Sequence, residues 1–483
     1  MHNILIFYPD KNVKNAFYKS QNVIFFDESG WWHFSKNKRI NTKISNDLID
    51  LQKVDFEKLI STMRFWGPLW SRMIGKGDQL ELIYRKVGLL ILNVASDIER
   101  LKIKKAIFMT GVTHHIDSLV FDYACLYLKI DKIFLYREVV AGRLIPIMQR
   151  LDFPSKIFLN KNVSKYNYKK ALVEFKLNKA DNNFPVSNYV FSRSKNFYFS
   201  LFRTLYLDSK FIFRNIIKFL LLKFKCKFLY EPNIFSFIYQ TYPFQLTFQI
   251  LQLKEALKYY ESKCLSNEEL ELIKKKAKTP FFLIAANFQP EATTFPEGWD
   301  CSNHIDLVIQ LRKKGVKEAI FYKEHPETFS YIIGAGSTGS GMMRSIDYYR
   351  QLESLNCFFI QSNFSLSVDS INNNWYIPVT ISGTIALERS LFGFPTIVAG
   401  RPWFHGLPGC LYLNDIKKLT SLNKSFVKKD KRLEKNAFNY LLNKLNDKTL
   451  VNNAGIGDSK LVGNKKVINE YIKNFKKLIL EIR

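Results

Sequence analysis

The sequence predicts an α/β protein built from two doubly wound, Rossmann-like domains with a cleft between them. Three observations point there. Short apolar runs alternate with stretches of helical period in both halves of the chain. In each half the order is strand, helix, strand at the spacing of a βαβ unit, which requires a parallel sheet. The chain has 483 residues, and at about 100–200 residues per domain that length suggests two or three domains.

Taken in order, residues 3–8 and 22–26 read as buried strands, and 79–101 has helical periodicity. Residues 105–109 form a strand that ends in the loop Thr110-Gly-Val-Thr-His-His; a helix over 116–129 and a strand over 132–136 follow. Residues 244–277 read as helices beyond an inter-domain connection near Glu231-Pro232. Alternation then resumes. Strands are expected at 281–286, 319–323, 357–360, 379–381 and 396–399. Helices are expected at 303–314, 347–355 and 384–392, with a short one at 364–373. The expected division is 1–235, 236–460 and a last helix within 461–483 that packs back on the first domain. The glycine-rich run from Gly334 to Gly341 has no helix directly after it and reads as a loop, not a phosphate cradle.

Apolar residues make up 47% and charged residues 24%, enough to bury substantial cores, so disorder is a poor description of the whole. The net charge is +29. Such an excess suits a nucleic acid, an anionic membrane surface or an acidic substrate. A sequence rich in Lys, Asn, Ile and Phe, as an AT-rich genome encodes, supplies part of it. No RNA-recognition or zinc-finger signature accompanies the charge, so no nucleic-acid partner is expected. Residues 193–230 hold nine Lys/Arg and one acid among Phe, Leu, Ile and Tyr. That is the pattern of an interfacial amphipathic helix, or of a helix packed on its own domain with a lysine face in water. The six cysteines (Cys125, Cys226, Cys264, Cys301, Cys357, Cys410) are scattered with no C-x-x-C pair. This argues against a zinc site and a disulfide framework and for reduced thiols in the cytoplasm. No signal peptide is evident, and no uncharged apolar run approaches the ~20 residues of a spanning helix.

Three segments of the second half carry chemistry. In Thr380-Ile-Ser-Gly-Thr-Ile-Ala-Leu-Glu a strand runs into Ser382-Gly383-Thr384 and a helix begins. Backbone N–H groups and two hydroxyls there would face an anion, and Glu388, four residues beyond Thr384, would accept from a ribose or sugar. In Phe321-Tyr-Lys-Glu-His-Pro, Lys323 and His325 stand at the end of a strand, where ligands of such sheets bind. Lys323 is a point cation for phosphate, His325 can donate to a phosphoryl oxygen, and Pro326 fixes the turn. Ala286-Asn-Phe-Gln-Pro-Glu-Ala-Thr-Thr places Gln289, Glu291, Thr293 and Thr294 beyond another strand of the same sheet. In the first half, His114, His115 and Asp117 follow one strand end, and Arg137, Glu138 and Arg143 follow the next.

Gln289-Pro290-Glu291 with Thr293-Thr294, Lys323-Glu324-His325-Pro326, and Ser382-Gly383-Thr384 with Glu388 resemble the C-terminal half of the capsule polysaccharide biosynthesis family. Within it they are similar to the bacterial transferases of 3-deoxy-manno-octulosonic acid (Kdo), and more distantly to bacterial sialyltransferases. The likeness covers about residues 280–410. It implies a GT-B fold and a CMP-activated acidic sugar (Kdo or a nonulosonic acid of the sialic, pseudaminic or legionaminic type) carried to a bacterial surface glycan. It also implies that His325, Ser382 and Thr384 hold the nucleotide, with Gln289, Lys323, Pro326, Gly383 and Glu388 around them. In the Kdo transferases an N-domain carboxylate matters for catalysis, and the Glu-Asp-Gly pattern of some members is missing here. Asp117, Glu138, Glu291 and His115 are therefore the candidate catalytic groups, and His114, Arg137, Arg143, Thr293 and Thr294 the candidate acceptor or sugar contacts.

Such a transfer needs a general base and, in a retaining enzyme, a carboxylate nucleophile. No Asp-x-Asp dyad is clearly placed for a metal, and a CMP sugar carries a single phosphate, so a metal-free donor site is expected and no cofactor beyond the sugar nucleotide. The expected partners are that donor and a glycan acceptor. If the glycan is lipid-linked, 193–230 would hold the enzyme peripherally at the inner face of the membrane. A UDP- or GDP-hexose transferase and a non-catalytic glycan-binding assembly protein are the competing readings.

Overall fold

A computed structural model of the chain describes residues 3–17, 20, 22–27, 30–33, 38–39, 80–109, 116–150, 153–157, 166–180, 201–203, 205–206, 209–210, 245–276, 280–289, 298, 301, 303–325, 328, 344–362, 364, 375–416, 419, 427–446, 449–450 and 465–482. Two sheets organise them.

The first sheet has eight strands: β1 (Asn3–Phe7), β2 (Val23–Asp27), β3 (Gly30–His33), β4 (Lys38–Arg39), β5 (Ile103–Phe108), β6 (Asp131–Arg137), β7 (Leu144–Arg150) and β8 (Phe153–Ile157). Their order is β4-β3-β2-β1-β5-β6-β7-β8. The middle four, β2-β1-β5-β6, are parallel, as the βαβ spacing predicts. Both flanks are antiparallel, an addition on which the βαβ spacing is silent. Helix α1 (Lys11–Ala16) starts because Asp10 accepts from the amides of Asn12 and Val13 at 2.8 and 2.9 Å. Helices α2 (Leu80–Arg100) and α3 (Ile116–Tyr127) pack against each other beside the sheet. Ile91, Ile98, Phe121 and Ala124 meet Leu5, Phe7 and Phe108 there in one apolar layer.

Helix α4 (Tyr168–Ala180) follows β8 in the chain, and helices α5 (Gln245–Lys263) and α6 (Asn267–Lys276) lead into the second sheet. Its strands are β9 (Phe281–Ala285), β10 (Ile320–Lys323), β11 (Cys357–Ile360), β12 (Tyr376–Thr380), β13 (Thr396–Val398) and β14 (Cys410–Tyr412). All are parallel, in the order β11-β10-β9-β12-β13-β14. Numbered within the sheet this is 3-2-1-4-5-6, the doubly wound order of dinucleotide-binding domains. Helices α7 (His304–Lys313), α8 (Ile346–Ser354) and α9 (Ile385–Leu391) connect the strands. Asn303 and Ser345 cap α7 and α8 through the amides of Asp306 (2.8 Å) and Tyr348 (3.1 Å). β10 and β12 are buried along their whole length, as expected of strands covered on both faces.

Among the described residues several contacts join the halves. Helix α4 packs Tyr168, Leu172 and Phe175 against Leu387 and Leu391 of α9 and Leu441 of α10 (Lys431–Leu445). Lys176 of α4 pairs with Glu434 of α10. The last helix, α11 (Lys465–Ile482), returns to the first sheet. Its Phe475, Leu478 and Ile479 cover Ile4, Ile6 and Val13, and the Tyr471 hydroxyl donates to Asp10 at 2.8 Å.

Of the basic segment 193–230, all but 201–203, 205–206 and 209–210 lies outside the described residues, as do the connection at 231–232, the 334–341 loop and the helix expected at 364–373, apart from residue 364. Among the described residues no helix is long and apolar enough to cross a membrane. The described cysteines are free thiols.

Candidate functional site

In a 3-2-1-4-5-6 sheet the strand order reverses between the first and fourth strands, and a crevice opens beyond their carboxyl ends. Here those strands are β9 and β12. The loop after β9 begins Ala286-Asn-Phe-Gln, and the loop after β12 is Ile381-Ser-Gly-Thr. They touch directly. Asn287 Oδ1 accepts from the Thr380 hydroxyl at 3.1 Å and from the Ile381 amide at 3.3 Å. The loop after β10 joins them, with the Phe288 ring edge-on to His325 at 5.9 Å between centroids. Three segments far apart in sequence thus meet at one point of the sheet.

Beneath them lies a buried polar network. Glu324 and Arg344 are both 0% exposed and form a bidentate pair, Nε to Oε2 at 2.6 Å and Nη2 to Oε1 at 3.0 Å. Arg344 Nη1 also donates to Gln289 Oε1 at 3.0 Å, and its guanidinium lies 4.5 Å from the Tyr348 ring centre. Glu324 further accepts from the hydroxyls of Tyr322 (3.0 Å), Tyr349 (3.0 Å) and Thr328 (3.1 Å) and from the His325 amide (3.0 Å). Burial alone would raise this carboxyl; the charge and hydrogen bonds of Arg344, with the His325 amide, overcome it and hold it down at about 2. A second branch fixes the loop after β9. The Asn287 amide donates to His304 Nε2 at 3.0 Å. Nε2 is therefore the acceptor, and Nδ1 carries the proton and donates to Tyr348 Oη, 3.3 Å away. The Tyr348 hydroxyl then donates to Tyr322 Oη at 3.2 Å, and Tyr322 to Glu324. Burial, then the charge of Arg344, pushes His304 down to about 3, which keeps it neutral in this chain of donors.

Of the residues picked out in the sequence, Gln289, Lys323, His325 and Ser382–Thr384 come together here. Lys323 is buried, and burial pushes its ammonium down to about 8. Burial, then the neighbouring Lys323 charge, takes His325 down to about 4, so near neutral pH it is an uncharged donor or acceptor. Ser382 is buried, Gly383 half-buried and Thr384 exposed. The Gly383 amide, expected to face an anion, donates instead to Thr380 Oγ1 at 3.1 Å. A Cβ at Gly383 would stand 2.6 Å from that hydroxyl, which explains the glycine. Glu388 is half-buried in the first turn of α9, with its amide bonded to the Thr384 carbonyl at 2.9 Å.

In the first half two of the picked residues are described with their side chains. Glu138 and Arg143 flank the turn between β6 and β7 and serve it. The Glu138 carboxylate accepts from the amides of Val140 (2.6 Å), Ala141 (3.0 Å) and Arg143 (2.9 Å) and from the Tyr168 hydroxyl (2.7 Å). Burial raises it despite those donors. In this arrangement the carboxylate holds the turn between β6 and β7 together. Arg143 stacks on Tyr166 at 4.0 Å and donates to Thr449 Oγ1 (2.8 Å) and the Thr449 carbonyl (3.2 Å), so it ties the two ends of the chain's path together. Asp117 lies in the first turn of α3 and Arg137 at the end of β6; their side chains, and His114, His115, Pro326, Glu291, Thr293 and Thr294, lie outside the described residues.

Asn287, His304, Glu324 and Arg344 escaped the sequence reading. Glu324 stood inside a quoted motif. Strand alternation sets it on the Tyr322 side of β10, away from Lys323, and a carboxylate buried there requires a cation.

No family model matches the chain, and no curated protein matches it in sequence. Among solved structures it is similar to KpsC, a beta Kdo 2,7 transferase of Thermosulfurimonas dismutans, at 10% identity over 80% of this chain and 89% of that one, with a TM-score of 0.27. It is also similar to S. aureus MnaA, solved with UDP, at 13% identity over 99% and 98% of the two chains, with a TM-score of 0.20. At such scores the functional reading rests on the site's own residues.

Proposed function

We propose that this chain is a glycosyltransferase of GT-B type that moves an acidic sugar, Kdo or a nonulosonic acid, from a CMP donor onto a bacterial surface polysaccharide. The observation that carries the reading is the convergence of three loops at the crevice of the second sheet, with Asn287 bonded to Thr380 and Ile381 and Phe288 against His325. Those loops hold the residues in which the chain resembles the Kdo transferases.

In this reading Lys323 offsets the phosphate charge, and more so as the CMP leaves with its bonding electron pair. His325 donates one hydrogen bond to a phosphoryl oxygen without adding charge. Ser382 and Thr384 add hydroxyl donors, Gln289 shapes the wall, and Glu388 takes the ribose hydroxyls. The proposal names no metal ligand. Asp117, Glu138, Glu291 and His115 are the candidates for nucleophile and base. A lipid-linked acceptor, with peripheral membrane contact through 193–230, belongs to the same proposal.

Thermal unfolding with CMP, CDP, UDP and GDP at matched concentrations, on the wild type and His325→Ala, tests it. CMP at 100 times its dissociation constant should stabilise the wild type by about 2.7 kcal/mol. The mutant should lose most of that shift. Stabilisation by UDP or GDP and not CMP would overturn the CMP donor in favour of a hexosyltransferase. Response to none of the four would turn the question to glycan binding without transfer.

A further inference from the structure

We infer that Asn287 is a ligand-binding residue whose side-chain NH2 donates to a phosphoryl oxygen of the nucleotide at the β9/β12 crevice. The inference rests on reading that crevice as the site of an anionic ligand, and it adds a contact that none of the three sequence motifs supplies.

The orientation of the amide is set by its neighbours. The Ile381 amide can only donate, so the atom 3.3 Å from it must be the Asn287 oxygen. The Thr380 hydroxyl accepts from the Gly383 amide at 3.1 Å and sends its own hydrogen to the same oxygen at 3.1 Å. Both bonds to Oδ1 come from the protein, so Nδ2 is turned the other way. Asn287 is only 6% exposed, yet among the described residues Nδ2 has no hydrogen-bond partner. Nδ2 is not one of the fully buried polar atoms, so this end of the carboxamide reaches the solvent of the crevice and can exchange water for a ligand oxygen. Nδ2 points past Gly383, where a Cβ would lie 3.6 Å away. The rim there is open, because Gly383 is half-buried and Thr384 exposed.

The backbone of Asn287 is held as firmly. Its amide is bonded to His304, and through Tyr348 and Tyr322 the chain of donors ends on Glu324 and Arg344. The donor is therefore positioned before the ligand arrives. Ligand oxygens, not ligand donors, fit it, since Nδ2 has only hydrogens to offer. Lys323 and His325 at the same crevice favour an oxygen that carries negative charge.

Asn287→Asp separates this role from folding. The carboxylate keeps an oxygen for Thr380 and Ile381 and replaces only the NH2, so it presents an acceptor to the phosphate. Calorimetric titration of the full chain with CMP, UDP, GDP and the uncharged nucleoside of whichever nucleotide binds is the experiment, with the melting temperature of each variant as the control on folding. We expect a loss on the order of 100-fold for the nucleotide and under about 3-fold for the nucleoside, from a lost charge-assisted hydrogen bond plus repulsion. Asn287→Asp binding the nucleotide within about 3-fold of the wild type would overturn the inference and leave the CMP reading standing. Equal losses for nucleotide and nucleoside would overturn the phosphoryl assignment. A wild type that prefers UDP or GDP and loses it in the variant would overturn the CMP donor and uphold Asn287. A wild type that binds no nucleotide overturns both.

Discussion

Arg344→Met removes the one guanidinium that faces the buried Glu324 carboxylate from within the network. In the wild type both partners are 0% exposed, and three arginine nitrogens are engaged, two on Glu324 and one on Gln289. After the change Glu324 keeps only neutral donors, the hydroxyls of Tyr322, Tyr349 and Thr328 and one amide. Leaving a buried charge without its partner costs about 3–5 kcal/mol. For a unit of 150–250 residues each kcal/mol moves the melting temperature by about 2–4 °C, so a fall of roughly 6–20 °C is expected. The double variant Arg344→Met with Glu324→Gln carries no charge and should recover most of the loss, since a buried pair replaced as a pair is often near neutral. Urea unfolding at pH 7 followed by circular dichroism measures both. A single variant that loses less than about 1 kcal/mol, or a double variant no more stable than the single, would refute the account of Glu324 as a buried charge dependent on Arg344.

Two pH dependences follow from the same residues. Nucleotide affinity should fall as pH rises through about 8, where Lys323 loses its proton, by about tenfold per pH unit until the higher pKa of the complex is reached; titrations from pH 6.5 to 9.5 that stay flat would remove Lys323 from the phosphate site. Stability should fall in acid. His304 is lowered from 6.5 to about 3 and Glu324 from 4.5 to about 2, so the unfolded chain binds more protons than the folded one in both windows. The His304 share is lost as pH drops from 6.5 toward 3, the Glu324 share from 4.5 toward 2. Urea midpoints at pH 7, 5 and 4 should decline in that order, and the double variant should lack the Glu324 part of the slope.

The second sheet was legible because its central strands are buried on both faces and read as unbroken apolar runs, such as Phe281-Phe-Leu-Ile-Ala; Cys357-Phe-Phe-Ile reads the same way, although Phe358 on this edge strand is exposed. The first sheet was legible only in its parallel middle. β7 and β8 each contain a proline, Pro146 and Pro154, which argues against a strand from sequence; in the fold both belong to the antiparallel flank, with β8 at the edge. Helix α4 shows no clear stripe, since Val173 and Leu177 are exposed beside the buried Tyr168, Leu172 and Phe175, whereas α10 carries one in Ala437, Leu441 and Leu445. At the site, the strand-end residues Lys323 and His325 could be found by their position after β10. Arg344 could not, because it follows a glycine-rich loop and finds Glu324 twenty residues back only once the sheet exists. Asn287 looked like loop polarity until its two donors came from another strand.

The return of α11 to the first sheet bears on how the protein is made. Asp10 and Tyr471 are 461 residues apart in the chain, yet they share a hydrogen bond over one apolar layer. A ribosome adding about 5–20 residues per second needs roughly 20–90 s to travel between them. Throughout that interval Ile4, Ile6 and Val13 lack the cover of α11, and this layer of the first sheet is closed only when the last helix arrives. The element made last thus completes the sheet made first, and a nascent chain halted before residue 465 is expected to expose part of this aliphatic layer.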